Sequence, residues 1–262
     1  MSNLIRHPYH LVDESPWPLL RAIVSLGLTS GLIEAFHKND WRLVFISLLR
    51  LILIRVQWWS DISCEADTQG VHSKIVEIGL RLGIILFITS EVMFFSSFFW
   101  AFFHCRLAPG IEVGRNWPPV GIYTFNPLGV PLLNTLVLLR SGVRLTWAHH
   151  ALIEGRQSEV FWSLRATVIL GGYFTFLQAF EYLEARFRFR DGIWGSVFFL
   201  ATGFHGLHVI IGRLFLLVCL RRLIIGSFSP KHHFGFEAAR WYWHFVDVVW
   251  LFLYLILYWW GS

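Results

Sequence analysis

The stretch "FITSEVMFFSSFFWAFF", Phe87–Phe103, decides the fold, because it is almost wholly apolar over nearly the length of a membrane span. A helix needs about 20 mainly apolar residues to cross the hydrocarbon core of a bilayer. One ionisable side chain, Glu91, stands inside this run. A charge in hydrocarbon is costly, so such a residue is paired, protonated, or open to a water-filled or headgroup-lined space. The stretch predicts a transmembrane helix whose acid either relays protons or is a neutral group bonded to a neighbouring helix.

The composition of the whole chain agrees with a membrane protein. Of its 262 residues, 55% are hydrophobic, 18% are aromatic and only 15% are charged. A soluble domain usually has about 25% charged residues. One water-soluble core of this size would not shield 14 Trp and 25 Phe. Composition therefore favours a protein that spans the membrane several times.

Apolar runs of sufficient length predict seven transmembrane helices in one domain, residues 1–262. The predicted spans are 16–34, 41–59, 75–105, 128–149, 159–183, 192–223 and 234–260. Their connections are short except for residues 106–127, where Pro and Gly indicate an irregular surface loop. The fold class is therefore an all-α membrane protein.

The second span is the least certain of the seven, because it contains Arg50 near its centre and Arg55 near its end. An arginine at mid-span costs roughly 2.5–3.5 kcal/mol on insertion scales. Trp58 and Trp59 suit an anchor at the membrane interface. The alternative to a span is an amphipathic helix lying in that interface.

Charge and cysteine usage exclude other classes of protein. The net charge of +5 is spread along the chain without a basic block, so a nucleic-acid partner is not predicted. Cys64, Cys105 and Cys219 have no spacing typical of a metal site and are interpreted as small apolar residues. Lys and Arg are divided almost evenly between the two sets of loops, so they leave the orientation open.

Histidine is abundant, yet its spacing gives no metal-binding motif. His149 and His150 are adjacent and point to different sides of a regular helix, whereas His205 and His208 share one face. No HExxH motif, nucleophile elbow or phosphate-binding loop is present. By elimination, the residues predict a bundle that binds lipids, contacts partner helices or assists proton movement, and that holds no cofactor of its own.

Several motifs together carry a resemblance that runs from one end of the chain to the other. They are "HPYHLVDESPWP", "FITSEVMFF", "FFWAFFH", "NWPP", "PLLNTLVLLRSG", "TWAHHALIEG", "FLATGFHGLHVIIG", "HHFGFEAARWYWHFVDVVWLF" and "YWWGS". In this order they resemble the cytochrome c oxidase subunit III family. Such a series is far more specific than any one motif.

The resemblance implies a fold and a function. It implies two helices and five helices separated by a V-shaped cleft filled with lipid. It also implies a non-redox subunit that packs against the catalytic subunit I and the other subunits of the oxidase, in which partner subunits hold haem and copper. The resemblance further implies that such a subunit supports electron transfer from cytochrome c to oxygen by stabilising subunit I and assisting proton uptake. The expected location is the mitochondrial inner membrane, with a bacterial plasma membrane as the alternative.

The resemblance also implies the roles of single residues. Glu91 matches a buried, proton-linked glutamate near the lipid cleft. Matches to lipid contacts of the family, including structural phospholipids, are Trp58, Trp59, Glu65, His72, Arg222, His232 and His233, and no residue is expected to bind a metal. Two family arginines are replaced here by Ser60 and Cys64, which puts lipid choice in this half of the cleft in doubt.

Other positions have an arginine where relatives have smaller or apolar residues. The most unusual are Arg140, Arg144, Arg213 and Arg240. Two hypotheses account for them: a partner surface specific to this lineage, or codons translated with the wrong genetic code. Arg140 and Arg144 lie four residues apart and repel each other unless an anion is close.

Two further functions follow if the resemblance is set aside. The chain could itself be a redox subunit, which requires several histidines that converge from different helices on haem or copper. It could also be a proton or ion transporter built around Glu91, which requires flux through the chain reconstituted alone.

Overall fold

The computed structural model of the chain describes residues 8–111 and 114–261 and contains helices but no strand within them. The helices are α1 (Trp17–Lys38), α2 (Arg42–Asp67), α3 (Lys74–Leu107), α4 (Val130–Ile153), α5 (Gln157–Glu184), α6 (Gly192–Ile225) and α7 (Phe234–Leu253). A π-helical segment, Tyr254–Trp259, continues α7 directly. His7 and Ser262, the outermost residues of two quoted motifs, lie outside the described residues. Each predicted span corresponds to one helix, and the all-α prediction is confirmed.

Five of the helices are long and apolar enough to cross a membrane, namely α1, α2, α3, α5 and α7 with its π-helical extension. This includes the doubtful second span. The other two, α4 and α6, have 24 and 34 residues, which is also long enough to cross a bilayer. Asn134 and Ser141 of α4 and Thr202 and His205 of α6 are all buried inside the protein. Their polarity therefore faces other helices, and seven membrane crossings stay the prediction.

The described residues group into two compact units, one ending at Leu80 and the other beginning at Arg81. In the first unit, α1 and α2 form an antiparallel hairpin. Asn39 ends α1 in a left-handed conformation (φ 56°), and its N–H donates to the Ala35 carbonyl oxygen. A Cβ at Gly31 would lie 3.0 Å from the Val44 nitrogen, so this glycine allows the two helices to approach closely. The single domain and the two-plus-five arrangement around a cleft stay predictions.

In the second unit, α7 lies against α4, α5 and α6 and provides much of the buried core. The Trp243 side chain is fully buried, and its Nε1–H donates to the Ser141 hydroxyl at 2.8 Å. Two helical turns further along α7, the Nε1–H of Trp250 donates to the Thr135 hydroxyl at 2.9 Å. These bonds satisfy the only polar atom of each indole, so large apolar rings are buried without an unpaired donor.

Two glycines make room for the Trp243 ring. A Cβ added at Gly171 on α5 would lie 2.6 Å from Trp243 Cη2, and one at Gly212 on α6 would lie 3.0 Å from Cε3. Distances below 3.0 Å require atoms to move. These small residues therefore allow α5 and α6 to close on the tryptophan of α7.

Aromatic side chains attach α3 to this core. Phe95 and Phe102 are buried, whereas Val92, Met93 and Trp100 on the other faces of the helix are exposed. The Phe102 ring lies 5.5 to 6.1 Å from the rings of three tryptophans: Trp117, Trp194 and Trp260. The packing of Phe95 and Phe102 therefore determines which face of α3 turns inward. Glu91 lies four residues before Phe95 and so shares that face.

We expect Gly171→Ala to destabilise the chain, because the added methyl group overlaps Trp243. Overpacking of a core of this kind costs about 1–3 kcal/mol. The matched control is Gly206→Ala on α6, where a Cβ has nothing within 4 Å. Unfolding by SDS in mixed micelles measures both free energies. Equal stability of the two variants would contradict this account of the core.

Candidate functional site

Glu91 on α3 has a partner on α6. Its Oε2 lies 2.9 Å from Nε2 of His208, and the two residues are 117 positions apart in sequence. The other ring nitrogen of His208, Nδ1, lies 2.6 Å from the backbone oxygen of Phe204. The Glu91 side chain is 22% exposed and that of His208 is 10% exposed. The acid is therefore partly buried and directly bonded to an imidazole.

The hydrogen bonds determine how many protons this pair holds. A carbonyl oxygen only accepts, so Nδ1 of His208 bears a hydrogen and donates it to Phe204. In a neutral ring with that tautomer, Nε2 is an acceptor and the Glu91 carboxyl has to donate to it. The alternative is a transfer of the same proton, which gives an imidazolium and a carboxylate. In both states the Glu91–His208 pair shares a single proton.

Aromatic rings enclose His208 on several sides. The rings of Phe95 and Tyr242 have centroids 5.1 and 6.3 Å from the imidazole, and Phe245 lies at 6.1 Å. These rings hold the imidazole in place and keep water away from one side of it. The exposed part of Glu91 gives the pair its contact with the exterior of the chain.

An apolar groove lies beside the pair, between α3 and α7, with a volume of about 440 Å³. Its walls include Ile88, Val92 and Phe95 of α3 and Val248 and Phe252 of α7. Val248 and Phe252 are about half exposed, so the groove is open at the surface. A groove with these walls is suited to a hydrocarbon chain.

Two further carboxyl groups are buried in the second unit. Asp247 lies 3.7 Å from the Nδ1 of His244, whose Nε2 lies 3.2 Å from the Thr146 hydroxyl. Glu181 on α5 is 1% exposed and accepts a 2.6 Å hydrogen bond from Tyr258. The sequence analysis missed Glu181, although an acid inside a predicted span is the same signal that drew attention to Glu91.

The first unit contains four of the predicted lipid contacts. The Arg21 guanidinium lies 5.9 Å from the Trp58 ring centroid, and Trp59 is exposed. Glu65 and His72 are close together, at the end of α2 and in the loop before α3. Burial lowers the pKa of His72, which favours its neutral form, and the charge of a nearby imidazole lowers it further.

The second unit contains the other three, around the loop between α6 and α7. The Arg222 guanidinium lies 4.7 Å from the Phe228 ring centroid, and His232 is exposed. His233 is turned inward: its Nδ1 donates to the Ser229 oxygen at 3.0 Å, and its Nε2 lies 3.6 Å from Glu237. His233 is therefore committed to protein contacts, whereas His232 faces outward.

The unusual arginines fall into two kinds. Arg140 is exposed on α4 and Arg144 is partly buried, and neither guanidinium has an ion pair or hydrogen bond among the described residues. The buried Nε of Arg213 has no partner there either. Arg240 donates to His149 Nδ1 at 2.8 Å, but its own buried Nε has no partner in the described chain.

Two sets of three side chains have the composition of a metal site. They are His10, Glu65 and His72, and His149, His233 and Glu237, with the ligand atoms of each set within 4.8 Å of one another. No metal site is predicted from the sequence, in which His10 is not a candidate ligand. His150, as predicted from its spacing, points away from His149: it is exposed and His149 is buried.

Comparison with known proteins gives a consistent result over the whole length. The sequence model of the family described as cytochrome c oxidase subunit III matches residues 7–262. A cytochrome c oxidase subunit 3 of Anopheles gambiae is 59% identical over 262 residues, which is 100% of both chains. Proteins of the same name from Drosophila melanogaster and Paracentrotus lividus are 59% and 61% identical, over 100% and 98% of each chain.

We expect the Glu91–His208 bond to contribute to stability. His208→Phe keeps the aromatic packing but leaves the Glu91 carboxyl without a partner, a loss of about 1–3 kcal/mol for a buried polar group. Glu91→Gln is the matched variant, because its amide can donate to Nε2 and should cost less. Unfolding of both variants in SDS mixed micelles measures the difference. If Glu91→Gln were the more damaging of the two, the assigned hydrogen bond would be wrong.

Proposed function

Because the chain belongs to the cytochrome c oxidase subunit III family, and so is a multi-pass subunit of the oxidase in the inner mitochondrial membrane, we propose that it assists proton uptake through the Glu91–His208 pair. In this proposal it also binds phospholipids and stabilises the catalytic subunit I. The redox chemistry belongs to partner subunits that hold haem and copper.

The single observation that carries the proposal is the 2.9 Å contact between Glu91 Oε2 and His208 Nε2, from which a shared proton is inferred. Loss of this proton leaves a carboxylate beside a neutral imidazole, and gain of another leaves a neutral acid beside an imidazolium. Both the loss and the gain of a proton alter only the 2.9 Å hydrogen bond between Glu91 and His208. The Glu91 side chain is 22% exposed, which leaves it open to a neighbouring subunit or a headgroup-lined space. The pair is thus suited to accept and return protons one at a time.

The lipid role has separate support. The groove between α3 and α7 has a volume of about 440 Å³ and largely apolar walls, which suit an acyl chain. Arg222 and the exposed His232 can supply charge and hydrogen bonds to a phosphate headgroup. Trp59 and Arg55, 5.2 Å apart on α2, make a further pair suited to the membrane interface.

The hydrogen bonds of the buried histidines on α4 and α6 disfavour a redox centre among them. Haem or copper would need free ring nitrogens that converge from different helices. His205 is bonded through Nε2 to the Val246 oxygen, and His208 is bonded through both nitrogens. His149 is occupied on one side by Arg240. The alternative of a redox subunit has no such convergent set among these residues.

The transporter alternative predicts that the chain reconstituted alone moves protons. A continuous path requires polar groups on both sides of Glu91. Phe94, Phe95 and Phe98 follow it on the same helix and pack against Phe204 and one another. This apolar barrier favours local exchange of protons over passage through the chain.

We expect Glu91→Gln in the assembled oxidase to leave the initial rate of oxygen reduction within about twofold of the parent, which is less than 0.5 kcal/mol of activation free energy. The number of turnovers before inactivation should fall, because the amide no longer exchanges a proton. Oxygen consumption and proton uptake followed over many turnovers give both values.

The matched control is Glu184→Gln, which removes an exposed carboxyl at the end of α5. It should change neither the rate nor the lifetime. A loss of activity as deep as that caused by removing a haem ligand would contradict the proposal, and so would identical lifetimes for both variants and the parent.

A further inference from the structure

The first unit brings two imidazoles and one carboxylate together from three separate segments. His10 belongs to the stretch before α1, Glu65 to the last turns of α2, and His72 to the loop that leads into α3. The His10 Nε2 and Glu65 Oε2 atoms are 3.9 Å apart, and one ligand atom from each residue lies within 4.8 Å of the other two. We call this set the His10–Glu65–His72 cluster.

Neighbouring contacts hold the three segments in place. The Ser73 hydroxyl donates to the Pro8 oxygen at 2.6 Å, which ties the stretch containing His10 to the loop containing His72. The Val71 N–H donates to the Glu65 backbone oxygen at 3.4 Å, which ties the same loop to α2. These bonds hold the three segments of the cluster together without a ligand.

Neither imidazole is engaged elsewhere. Among the described residues, no hydrogen bond to a ring nitrogen of His10 or His72 is formed, and the rings contact each other edge to face at 5.7 Å. The side chains of His10 and Glu65 are only 13% and 17% exposed. Each imidazole therefore keeps a ring nitrogen lone pair that a ligand could use.

The surrounding charge favours a cation. The carboxylates of Glu65, Glu77 and Asp67 all act electrostatically on His72. Two neutral imidazoles and one carboxylate form the His₂Glu ligand set that holds zinc in sites with an open fourth position. Zinc prefers nitrogen and oxygen ligands at about 2.0–2.2 Å in a tetrahedral arrangement, which places ligand atoms about 3.4 Å apart.

We propose that His10, Glu65 and His72 bind one zinc ion. The ligand atoms of His10 and Glu65 have to close by about 0.5 Å, and the other pairs by at most about 1.4 Å, to reach the tetrahedral spacing, which rotations of the three side chains supply. The ion would join the stretch before α1 to the end of α2 and leave one position for water or a phosphate oxygen. This site is independent of the proton role of Glu91.

The second cluster provides an internal comparison, because it has the same composition and should not bind zinc. Arg240 donates to His149 Nδ1, so the lone pair of that nitrogen is engaged and the hydrogen of the neutral ring lies on Nε2, which leaves His149 no free lone pair for a metal. Glu237 is also paired with Arg81 at 3.0 Å. The guanidinium groups of Arg240 and Arg81 therefore engage two of the three possible ligands, and their positive charge repels a divalent cation.

The test is equilibrium dialysis of the full chain in detergent against zinc buffers, after removal of metal with a chelator. We expect His72→Ala and Glu65→Gln to weaken zinc binding by at least about tenfold. His233→Ala in the second cluster should leave the affinity unchanged. Far-ultraviolet circular dichroism checks that each variant keeps its helices. Unchanged affinity in His72→Ala, or equal losses in His72→Ala and His233→Ala, would overturn the proposal.

A second measurement uses the unaltered chain and so does not depend on the folding of a variant. Zinc should protect His10 and His72 from modification by diethyl pyrocarbonate, located by peptide mass spectrometry. The exposed His150 is the control and should react equally with and without zinc. Equal modification of His72 in the presence and absence of zinc would reject the site even if zinc bound elsewhere.

Discussion

A polar side chain at membrane depth has to find its partner within the protein, because lipid offers none. The Glu91–His208 hydrogen bond meets this requirement for the one acid of α3's apolar run and joins that helix to α6. The same constraint accounts for the tryptophan bonds of α7 to α4 and for the bond between Glu181 and Tyr258. Polar pairs thus determine which helix faces meet, and apolar packing fills the space between them.

The helices were predictable from sequence, whereas their partners were not. Long apolar runs define a span by themselves, so all seven helices were found, although several extend beyond the predicted limits. The partner of Glu91 lies 117 residues away, and no local pattern connects the two positions. The sequence placed His205 and His208 on one face of α6. In the structure they bond to different helices, His205 to α7 and His208 to α3. His10 gave no signal because its neighbours Glu65 and His72 are distant in sequence.

The same constraint bears on the unusual arginines. An acidic helix of another subunit can reach Arg140, which is exposed on α4. It does not reach the buried Nε atoms of Arg213 and Arg240, which have no partner among the described residues. A partner surface therefore accounts for Arg140 more readily than for Arg213 and Arg240. Translation with a different genetic code stays the alternative hypothesis for the buried positions.

The central claim is that Glu91 and His208 share one proton, and nitrogen-15 nuclear magnetic resonance of histidine in the labelled complex tests it most directly. The account predicts that Nδ1 of His208 is protonated and that Nε2 responds to Glu91→Gln, because its hydrogen-bond donor changes from a carboxyl to an amide. A His208 ring with the hydrogen fixed on Nε2 and no response to Glu91→Gln would contradict it.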